Sequence, residues 1–331
     1  MQIPPDYKIT SSILKLISQI ESLRLFFNSF PVPLALKNKI ERISILKSSL
    51  YSARIEGNPL TLNDVKNPEK IYDREKKLEV FNILDSIKFM DTNLIPGNNI
   101  SEDFVLRLHG IVMKNLSTDS GHIRTEPGAI FNQAGVAIYI APLPQQIREM
   151  IDKLLVYANR ETDYPIVTAV ISHLIFEKIH PFIDGNGRVG RLLIWAILKA
   201  KNYLFPIAIP LEEFIDQNRD RYYFHLDHGA TETERYIEFM LEGFSQMGDK
   251  IRLEVLKKTE KKEDIILPPR QEEILAIIKD HLNVSLEFIK RRFFKVPART
   301  LSYDLKKLAE QGLIVKVGKT RGSFYRVREK I

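Results

Sequence analysis

Residues 180–191 read HPFIDGNGRVGR and bring together several groups that could act on a phosphate. Gly185 and Gly187 flank Asn186 and would let main-chain N–H groups approach an anion closely. A helix is expected to begin just after them, and the unpaired N–H groups and dipole of a helix N-terminus attract negative charge. The segment therefore predicts an anion site built largely from backbone.

Four side chains around this site extend the chemistry. Arg188 and Arg191 would share one face in the first helical turn, where each guanidinium can bind phosphate oxygens with two hydrogen bonds. Asp184 could hold a hard cation such as magnesium. His180 is the group here that can be a neutral base near pH 7 and take a proton from a hydroxyl. Together they predict phosphoryl or nucleotidyl transfer to a hydroxyl.

Two other interpretations of the segment compete with this one. Each residue alone is ordinary in a turn or on a solvated helix face, and it is their joint occurrence that favours function. The letters GNGRVG also fit the G-x-G-x-x-G dinucleotide pattern, which requires a buried strand before it. Residues 172–184 (SHLIFEKIHPFID) have the spacing of a helix instead, and the chain lacks alternating βαβ units. A dinucleotide site is therefore disfavoured.

Composition limits the class of protein. A chain of 331 residues with 44% apolar and 27% charged residues is expected to form two or three soluble domains. Cysteine is absent, which excludes disulfides, thiolate nucleophiles and cysteine-bound zinc. No apolar run is long enough for a membrane helix, and the first residues do not resemble a signal peptide. We expect a cytoplasmic protein with no membrane partner.

The net charge of +7 is unevenly distributed. Residues 257–331 contain 19 Lys and Arg against 10 Asp and Glu, whereas residues 1–256 contain 30 against 32. An anionic polymer partner is therefore expected to bind the C-terminal quarter.

Apolar spacing predicts helices over most of the chain. Residues 121–144 differ, because short β-branched runs surround glycines there and indicate a hairpin or flap. After a charged and proline-containing stretch at 257–270, three helices and a two-stranded hairpin form a winged-helix pattern. The helices are predicted at 11–56 with a break at FPVPLAL, and at 74–93, 101–116, 145–160, 164–179, 187–202, 211–228, 231–257, 270–281, 285–293 and 297–311.

The predicted fold class is mainly α, with a β-hairpin flap and a C-terminal α+β winged-helix domain. Four segments follow: an N-terminal helical region at 1–100, a catalytic core at 101–256, a linker at 257–269 and the winged-helix domain at 270–331.

The segment HPFIDGNGRVGR matches every fixed position of the motif HxFx(D/E)GNGRxxR and so resembles the Fic family of protein adenylyltransferases. The resemblance covers most of residues 20–250, including RDRYYFHLDHG and YIEFMLEGF. It implies an all-α fold with one small hairpin, the flap. It also implies that ATP and Mg²⁺ are used to modify a Ser, Thr or Tyr hydroxyl of a target protein.

The resemblance assigns roles that agree with the chemistry above. His180 would deprotonate the hydroxyl that attacks the α-phosphate, Asp184 would bind magnesium, and Phe182 would anchor the loop. The phosphates would be held by Gly185, Asn186, Gly187, Arg188 and Arg191. A branch of the family that transfers phosphate departs from the motif at the second glycine and the last arginine, so Gly187 and Arg191 favour AMP transfer.

Two further parts of the site are implied by the resemblance. The flap, at Val136, Ala137, Ile138 and Tyr139, would bind the target segment by strand addition. Tyr222 and Tyr223 would flank the adenine, with core packing as the alternative for either one.

The segment SARIEGN at 52–58 resembles the family's inhibitory pattern [S/T]xxxE[G/N] at Ser52, Glu56 and Gly57. A Glu56–Arg191 ion pair would remove the γ-phosphate ligand and place a carboxylate where a triphosphate should lie. The alternative is an ordinary capping or solvated glutamate. In some relatives this glutamate supports removal of AMP, so de-AMPylation stays an open alternative.

The C-terminal helix at 297–311 has an apolar stripe of Leu301, Leu305 and Leu308 and resembles the recognition helix of bacterial winged-helix regulators. DNA contacts are expected from its other faces and from the wing, at Arg299, Ser302, Tyr303, Lys306, Lys319 and Arg321. The alternatives are protein docking and a homodimer. A second functional hypothesis is therefore a DNA-binding regulator whose Fic domain senses nucleotide.

Overall fold

The computed structural model describes residues 2–131, 137–161, 164–260, 267–281, 283–318 and 323–327. These residues fall into two compact units. The first comprises Met1–Pro31 and Ile40–Val255, and the second comprises Val32–Lys39 and Leu256–Ile331. The fold is mainly helical, as the sequence predicts. Across the described ranges, no helix has both the length and the apolar content needed to cross a membrane.

The elements up to residue 260 are helices interrupted by one hairpin. The hairpin is an antiparallel pair, β1 (Ala129–Phe131) and β2 (Ala137–Ile140), in which Ala129 faces Ile140. The helices are α1 (Ser11–Ser29), α2 (Leu34–Ile55), α3 (Leu62–Lys66), α4 (Arg74–Asn93), α5 (Glu102–Val112), α6 (Pro144–Asn159), α7 (Pro165–Ile179), α8 (Asn186–Ala200), α9 (Leu211–Gln217), α10 (Arg219–His228) and α11 (Thr233–Glu260), with a 3₁₀ turn at Pro68–Lys70.

Helix α7 is the centre of the first unit. Its residues from Ile166 to Ile179 are all buried, which agrees with a sequence that is apolar on every side. Helix α8 packs along it and is amphipathic, with its aliphatic residues buried and Trp195 half-buried. The two helices are joined by the loop 180–185, so the predicted site lies between the two most tightly packed helices of this unit.

The second unit contains α12 (Pro269–Asp280), α13 (Leu286–Arg292) and α14 (Ala298–Glu310) with a three-stranded antiparallel sheet. The strands β3 (Val284–Ser285), β4 (Ile314–Val317) and β5 (Phe324–Val327) lie in the order β3-β5-β4. A core that includes Ile274, Ile289 and Leu305 joins the helices to the sheet. The three helices and the β4–β5 hairpin follow the predicted order, whereas β3 was not predicted. The winged-helix assignment stays a prediction.

Three element boundaries differ from the predicted ones. Helix α5 ends at Val112 rather than near residue 116, and Asn115 just beyond it has a left-handed φ of 60°. The helix predicted at 211–228 is divided at Asn218, whose side-chain amide donates to the Phe214 carbonyl (2.9 Å) and ends α9. The predicted linker at 257–269 begins inside α11, which continues to Glu260.

Candidate active site

His180 ends helix α7 in a left-handed conformation, with φ of 49°. Its backbone N–H donates to the Phe176 carbonyl (3.0 Å), and its Nδ1 lies 3.4 Å from the Glu177 carbonyl. Burial lowers the pKa of His180, and the Glu177 carbonyl offsets only part of that effect. The ring is therefore neutral near pH 7, which is the state a general base requires.

The loop after His180 is held by Phe182 and Asn186. The Phe182 ring is fully buried and stacks on His109, with ring centres 3.7 Å apart and an interplanar angle of 1°. Asn186 Oδ1 accepts from the Phe182 N–H (2.9 Å), and its Nδ2 donates to the Phe182 carbonyl (2.8 Å). Both polar atoms of the Asn186 side chain thus bind the loop itself, and a contribution of Asn186 to phosphate binding stays a prediction.

Backbone N–H groups at the start of α8 are the main-chain candidates for the predicted anion site. Gly185 caps the helix with φ of 81°, and Asn186 and Gly187 are its first two residues. Arg188 is buried, and its Nη2 donates to Asp184 Oδ2 (2.9 Å). The Asp184 side chain is mostly exposed, and its Oδ1 accepts from the Gly185 N–H (2.5 Å). This end of α8 therefore presents N–H groups beside one accessible carboxylate.

Asp184 fits the limited role that a magnesium ion would give it. Among the described residues, no group of three His, Asp or Glu side chains is arranged to hold a metal. Mg²⁺ is commonly held by one or two carboxylates together with substrate phosphates rather than by a complete protein cage. One exposed carboxylate at a phosphate site meets that requirement.

Arg191 is buried beneath the end of helix α2. Its side chain is 2% exposed. Its Nη2 donates to Glu56 Oε1 (2.8 Å) and to the Ser52 carbonyl (2.9 Å), and its Nε donates to Ser52 Oγ (3.0 Å). Burial alone would lower the pKa of Arg191, but attraction to Glu56, Tyr222 and Glu177 outweighs burial and raises the pKa. The structure thus brings together Ser52, Glu56 and Arg191 from distant parts of the sequence.

The Glu56 carboxylate also lies directly against the first turn of α8. A Cβ atom placed on Gly187 would collide with Glu56 Oε1, so the approach depends on glycine at this position. Helix α2 ends at Ile55, and Gly57 turns the chain with φ of 93° while its N–H donates to the Arg54 carbonyl (2.9 Å). This turn places an acid at the helix N-terminus, where an anion is favoured.

The two tyrosines predicted to flank an adenine have different environments. Tyr222 is 1% exposed, and its hydroxyl lies 3.2 Å from His173 Nε2. Tyr223 is 45% exposed, and its hydroxyl donates to the Ile55 carbonyl (3.4 Å) at the end of α2. The adenine prediction is therefore corrected for Tyr222, which packs in the core, and it stays a prediction for Tyr223.

Three of the four predicted flap residues lie in β2, and Val136 lies outside the described residues. Ala137 and Ile138 are placed in the strand by their backbone. The Tyr139 hydroxyl donates to the Lys178 carbonyl (2.5 Å), so this side chain contacts the last turn of α7. The Tyr139 hydroxyl is therefore already bonded within the protein, and the backbone of Tyr139 is the part left for the predicted docking of a target.

The predicted DNA contacts lie in the second unit. Arg299, Ser302, Tyr303 and Lys306 are all exposed on α14, opposite the buried Leu301, Leu305 and Leu308. Lys319 and Arg321 lie outside the described residues. The structure thus brings the four helical residues to one accessible side of α14.

Three residues of the first unit were missed by sequence reasoning. The buried His109 accepts from the Gly121 N–H at Nδ1 (2.9 Å), and its Nε2 lies 3.1 Å from the Asp184 carbonyl; burial lowers its pKa to about 4. Burial raises the pKa of Glu177 to about 8, and its Oε1 has no hydrogen-bond partner within the described ranges. Arg124 is buried against backbone carbonyls. His109 and Glu177 are polar residues inside apolar helices, and this pattern could have indicated them from the sequence. Nothing in the sequence indicates Arg124.

The fold and this site define a helical domain in which a histidine ends one helix and a short loop with Gly185 at its end leads into the next. Residues 99–198 match the Fic/DOC family.

Curated proteins similar to the chain include the protein adenylyltransferase Fic of Drosophila erecta, which is 30% identical over 53% of this chain and 35% of its own length. Another is the protein adenylyltransferase fic-1 of Caenorhabditis elegans, which is 28% identical over 60% of this chain and 40% of its own length. The chain therefore spans well under half the length of these relatives.

Among solved structures, a Fic family protein from Desulfovibrio desulfuricans G20 is similar over 98% of both chains, with a TM-score of 0.69 and 23% identity. Fic-1 from C. elegans is similar over 76% of this chain and 73% of its own, with a TM-score of 0.60 and 22% identity. These likenesses agree with the helical fold described above.

Proposed function

We propose that the chain is an autoinhibited protein adenylyltransferase, which transfers AMP from ATP to a Ser, Thr or Tyr hydroxyl of a target protein or of itself. The curated relatives carry this activity in their names. The observation that carries the proposal is an ion pair. Arg191 is the last arginine of a complete Fic loop, and its Nη2 donates to Oε1 of Glu56, just after α2, at 2.8 Å.

In the proposed reaction His180 accepts the proton of the target hydroxyl. The hydroxyl oxygen forms a bond to the α-phosphorus of ATP, the bond from that phosphorus to the bridging oxygen of the β-phosphate breaks, and pyrophosphate leaves. The neutral state that burial gives His180 makes it a proton acceptor. The left-handed turn at the end of α7 fixes the backbone that carries this ring.

The phosphates would be held by the N–H groups of the first turn of α8 and by two arginines. Arg188 and Arg191 are both buried, so their charges act in a medium of low dielectric. Mg²⁺ held at Asp184 would neutralise charge on the phosphates. Positioning of this kind supplies much of the rate in phosphoryl and nucleotidyl transfer.

Inhibition follows from where the Glu56 carboxylate lies. Two like charges about 4 Å apart repel by about 4 kcal/mol at an effective dielectric of about 20. A triphosphate group at the α8 N-terminus would meet that repulsion and would find Arg191 already occupied. Because Glu56 is paired with Arg191 and is 37% exposed, the net penalty is smaller than this value, and every 1.4 kcal/mol of it lowers the affinity for ATP about tenfold.

Two labels distinguish the type of reaction. The Glu56→Gly variant would be incubated with Mg²⁺ and ATP labelled at either the α- or the γ-phosphate, and the protein would then be analysed for label. AMP transfer incorporates the α-label alone, whereas phosphate transfer incorporates the γ-label. His180→Ala in the same background is the control for adventitious labelling. Absence of His180-dependent label from either ATP would overturn the proposal, and loss of AMP from a pre-modified target would support de-AMPylation.

We also propose that α14 contacts DNA, because its exposed face carries Arg299, Ser302, Tyr303 and Lys306 while its leucines are buried. Basic side chains flanking an exposed helix face suit contact with phosphates and groove edges. A gel shift with the full chain would compare wild type with Arg299→Ala/Lys306→Ala over a salt series. Binding that weakens with salt and in the variant supports DNA contact, and no binding at low salt contradicts it.

A further inference from the structure

Arg124 lies where the hairpin meets the end of helix α7. The residue is 4% exposed, and among the described residues its guanidinium donates three hydrogen bonds, each to a backbone carbonyl. Its Nε donates to the His180 carbonyl (2.8 Å), Nη1 to the Glu126 carbonyl (2.7 Å) and Nη2 to the Pro142 carbonyl (2.7 Å). Its own N–H donates to the Pro181 carbonyl (2.9 Å). One side chain therefore binds the catalytic loop and both ends of the hairpin.

Burying a guanidinium is costly, and a carboxylate is its usual partner. Within the residues that the structure describes, Arg124 has no ion pair, and its guanidinium binds three carbonyl oxygens, of which that of His180 lies at the C-terminal end of α7. A helix leaves its last carbonyls without partners inside the helix and favours a cation near them. The planar fork of an arginine can reach three separate acceptors, which a lysine ammonium cannot do in the same geometry.

A second residue of the hairpin region caps the same helix end. The Tyr139 hydroxyl donates to the Lys178 carbonyl (2.5 Å), and the Lys178 ammonium lies 4.5 Å from the centre of the Tyr139 ring. The carbonyls of residues 178, 180 and 181 are therefore all bound by residues that precede or belong to the hairpin. The position of His180 and the position of the hairpin are thus fixed by one hydrogen-bond network.

We propose that Arg124 is a positioning residue that couples the hairpin to His180, so that a target segment held on the hairpin is aligned with the base. This inference rests on the proposed function for its catalytic consequence, but the coupling itself is a structural property and can be measured without activity.

Hydrogen exchange measures the coupling directly. In Arg124→Gln, amide exchange is expected to rise together in peptides covering residues 137–142 and residues 178–183, relative to wild type. The matched control is Arg148→Gln, an exposed arginine on α6 whose ion pair is with Glu102. A rise in only one of the two segments, or in neither, would overturn the proposal.

Kinetic measurements in the Glu56→Gly background then test whether Arg124 aligns the target with His180. Arg124→Lys and Arg124→Gln are expected to lower the rate at saturating nucleotide by about a hundredfold, as misplacement of a reacting group does. Affinity for nucleotide should stay within about twofold, because the groups at α8 are intact. The positive charge of Arg124 lowers the pKa of His180, so the acidic limb of the pH–rate profile should move upward in the glutamine variant and less in the lysine variant.

A milder variant covers the case in which these proteins fail to fold. A Cβ on Gly128 would lie 3.2 Å from the Arg124 guanidinium carbon, so Gly128→Ala should displace the guanidinium slightly and lower the rate by about tenfold. Full activity in all three folded variants would overturn the positioning role. An inactive Glu56→Gly parent would instead contradict the proposed function and leave the exchange experiment to decide the coupling.

Discussion

Glu56 Oε1 lies 2.8 Å from Arg191 Nη2, and the two partners of this ion pair differ sharply in exposure. The Arg191 side chain is 2% exposed and is also held by two hydrogen bonds to Ser52, whereas the Glu56 side chain is 37% exposed and follows the last residue of α2. The carboxylate is therefore the partner that can leave. In the proposed switch Arg191 stays in place and Glu56 moves.

Removing the Glu56 carboxylate should change nucleotide affinity selectively. Glu56→Gly is expected to increase affinity for ATP by at least about tenfold, since the repulsion acts mainly on the terminal phosphates. Affinity for AMP should change much less. Calorimetric titration with both nucleotides measures this, with Glu69→Gly as an exposed control. Equal gains for ATP and AMP would contradict competition at Arg191.

Asn186 should act through the loop rather than through an anion. Asn186→Ala leaves the N–H and the carbonyl of Phe182 without these partners and is expected to cost about 1–3 kcal/mol of unfolding free energy. Denaturant unfolding measures the loss. Asn186→Asp keeps the acceptor for the Phe182 N–H but places a carboxylate oxygen against the Phe182 carbonyl, so it should be destabilised as well. A variant with weakened nucleotide binding and unchanged stability would show that the side chain binds anions instead.

The two neighbouring tyrosines should give opposite results. Tyr222→Phe removes a partner of the buried His173 and should lower stability by about 1–3 kcal/mol without changing affinity for nucleotide. Tyr223→Ala should weaken binding of ATP several-fold, because its exposed ring is the one that can contact an adenine. Unfolding and titration of both variants test the pair. Weaker nucleotide binding in Tyr222→Phe alone would reverse the assignment.

Glu177 gives the fold a pH dependence whose sign is fixed by burial. Its pKa is about 8 in the folded protein, against an ordinary value of 4.5, so the folded state keeps a proton that the unfolded state releases between these values. The contribution of Glu177 to stability should therefore fall by about 1 kcal/mol per pH unit in this window, whereas His109, whose pKa burial lowers to about 4, contributes with the opposite sign below its ordinary pKa.

Unfolding measured between about pH 5 and about pH 8 tests this prediction. Glu177→Gln should remove this part of the pH dependence, whereas Glu75→Gln, an exposed control on α4, should retain it. Identical pH profiles for wild type and Glu177→Gln would contradict the prediction.

The sequence allowed much of the fold and of the central loop to be predicted. Apolar spacing placed α7 and α8 within about two residues of their bounds, because both helices have continuous apolar patterns. The pairing of Glu56 with Arg191 was expected only through the family resemblance. Nothing in local spacing brings together two residues that lie 135 positions apart.

Other features could not be predicted for definite physical reasons. Arg124 binds backbone carbonyls, which leave no mark on the residues that supply them. Tyr222 and Tyr223 are adjacent on α10 and point in different directions, so only the packing around that helix decides which one is buried. Asn186 could bind an anion or its own loop, and the choice depends on the position of the Phe182 backbone.

Label transfer in four proteins tests the central claim, which is that Glu56 keeps a competent active site from using ATP. Initial rates of incorporation from ATP labelled at the α-phosphate would be compared for wild type and Glu56→Gly, each with and without His180→Ala. The account predicts a rate at least about a hundredfold higher in Glu56→Gly and no label in either protein once His180 is replaced. Equal rates in wild type and Glu56→Gly, or label that persists without His180, would contradict it.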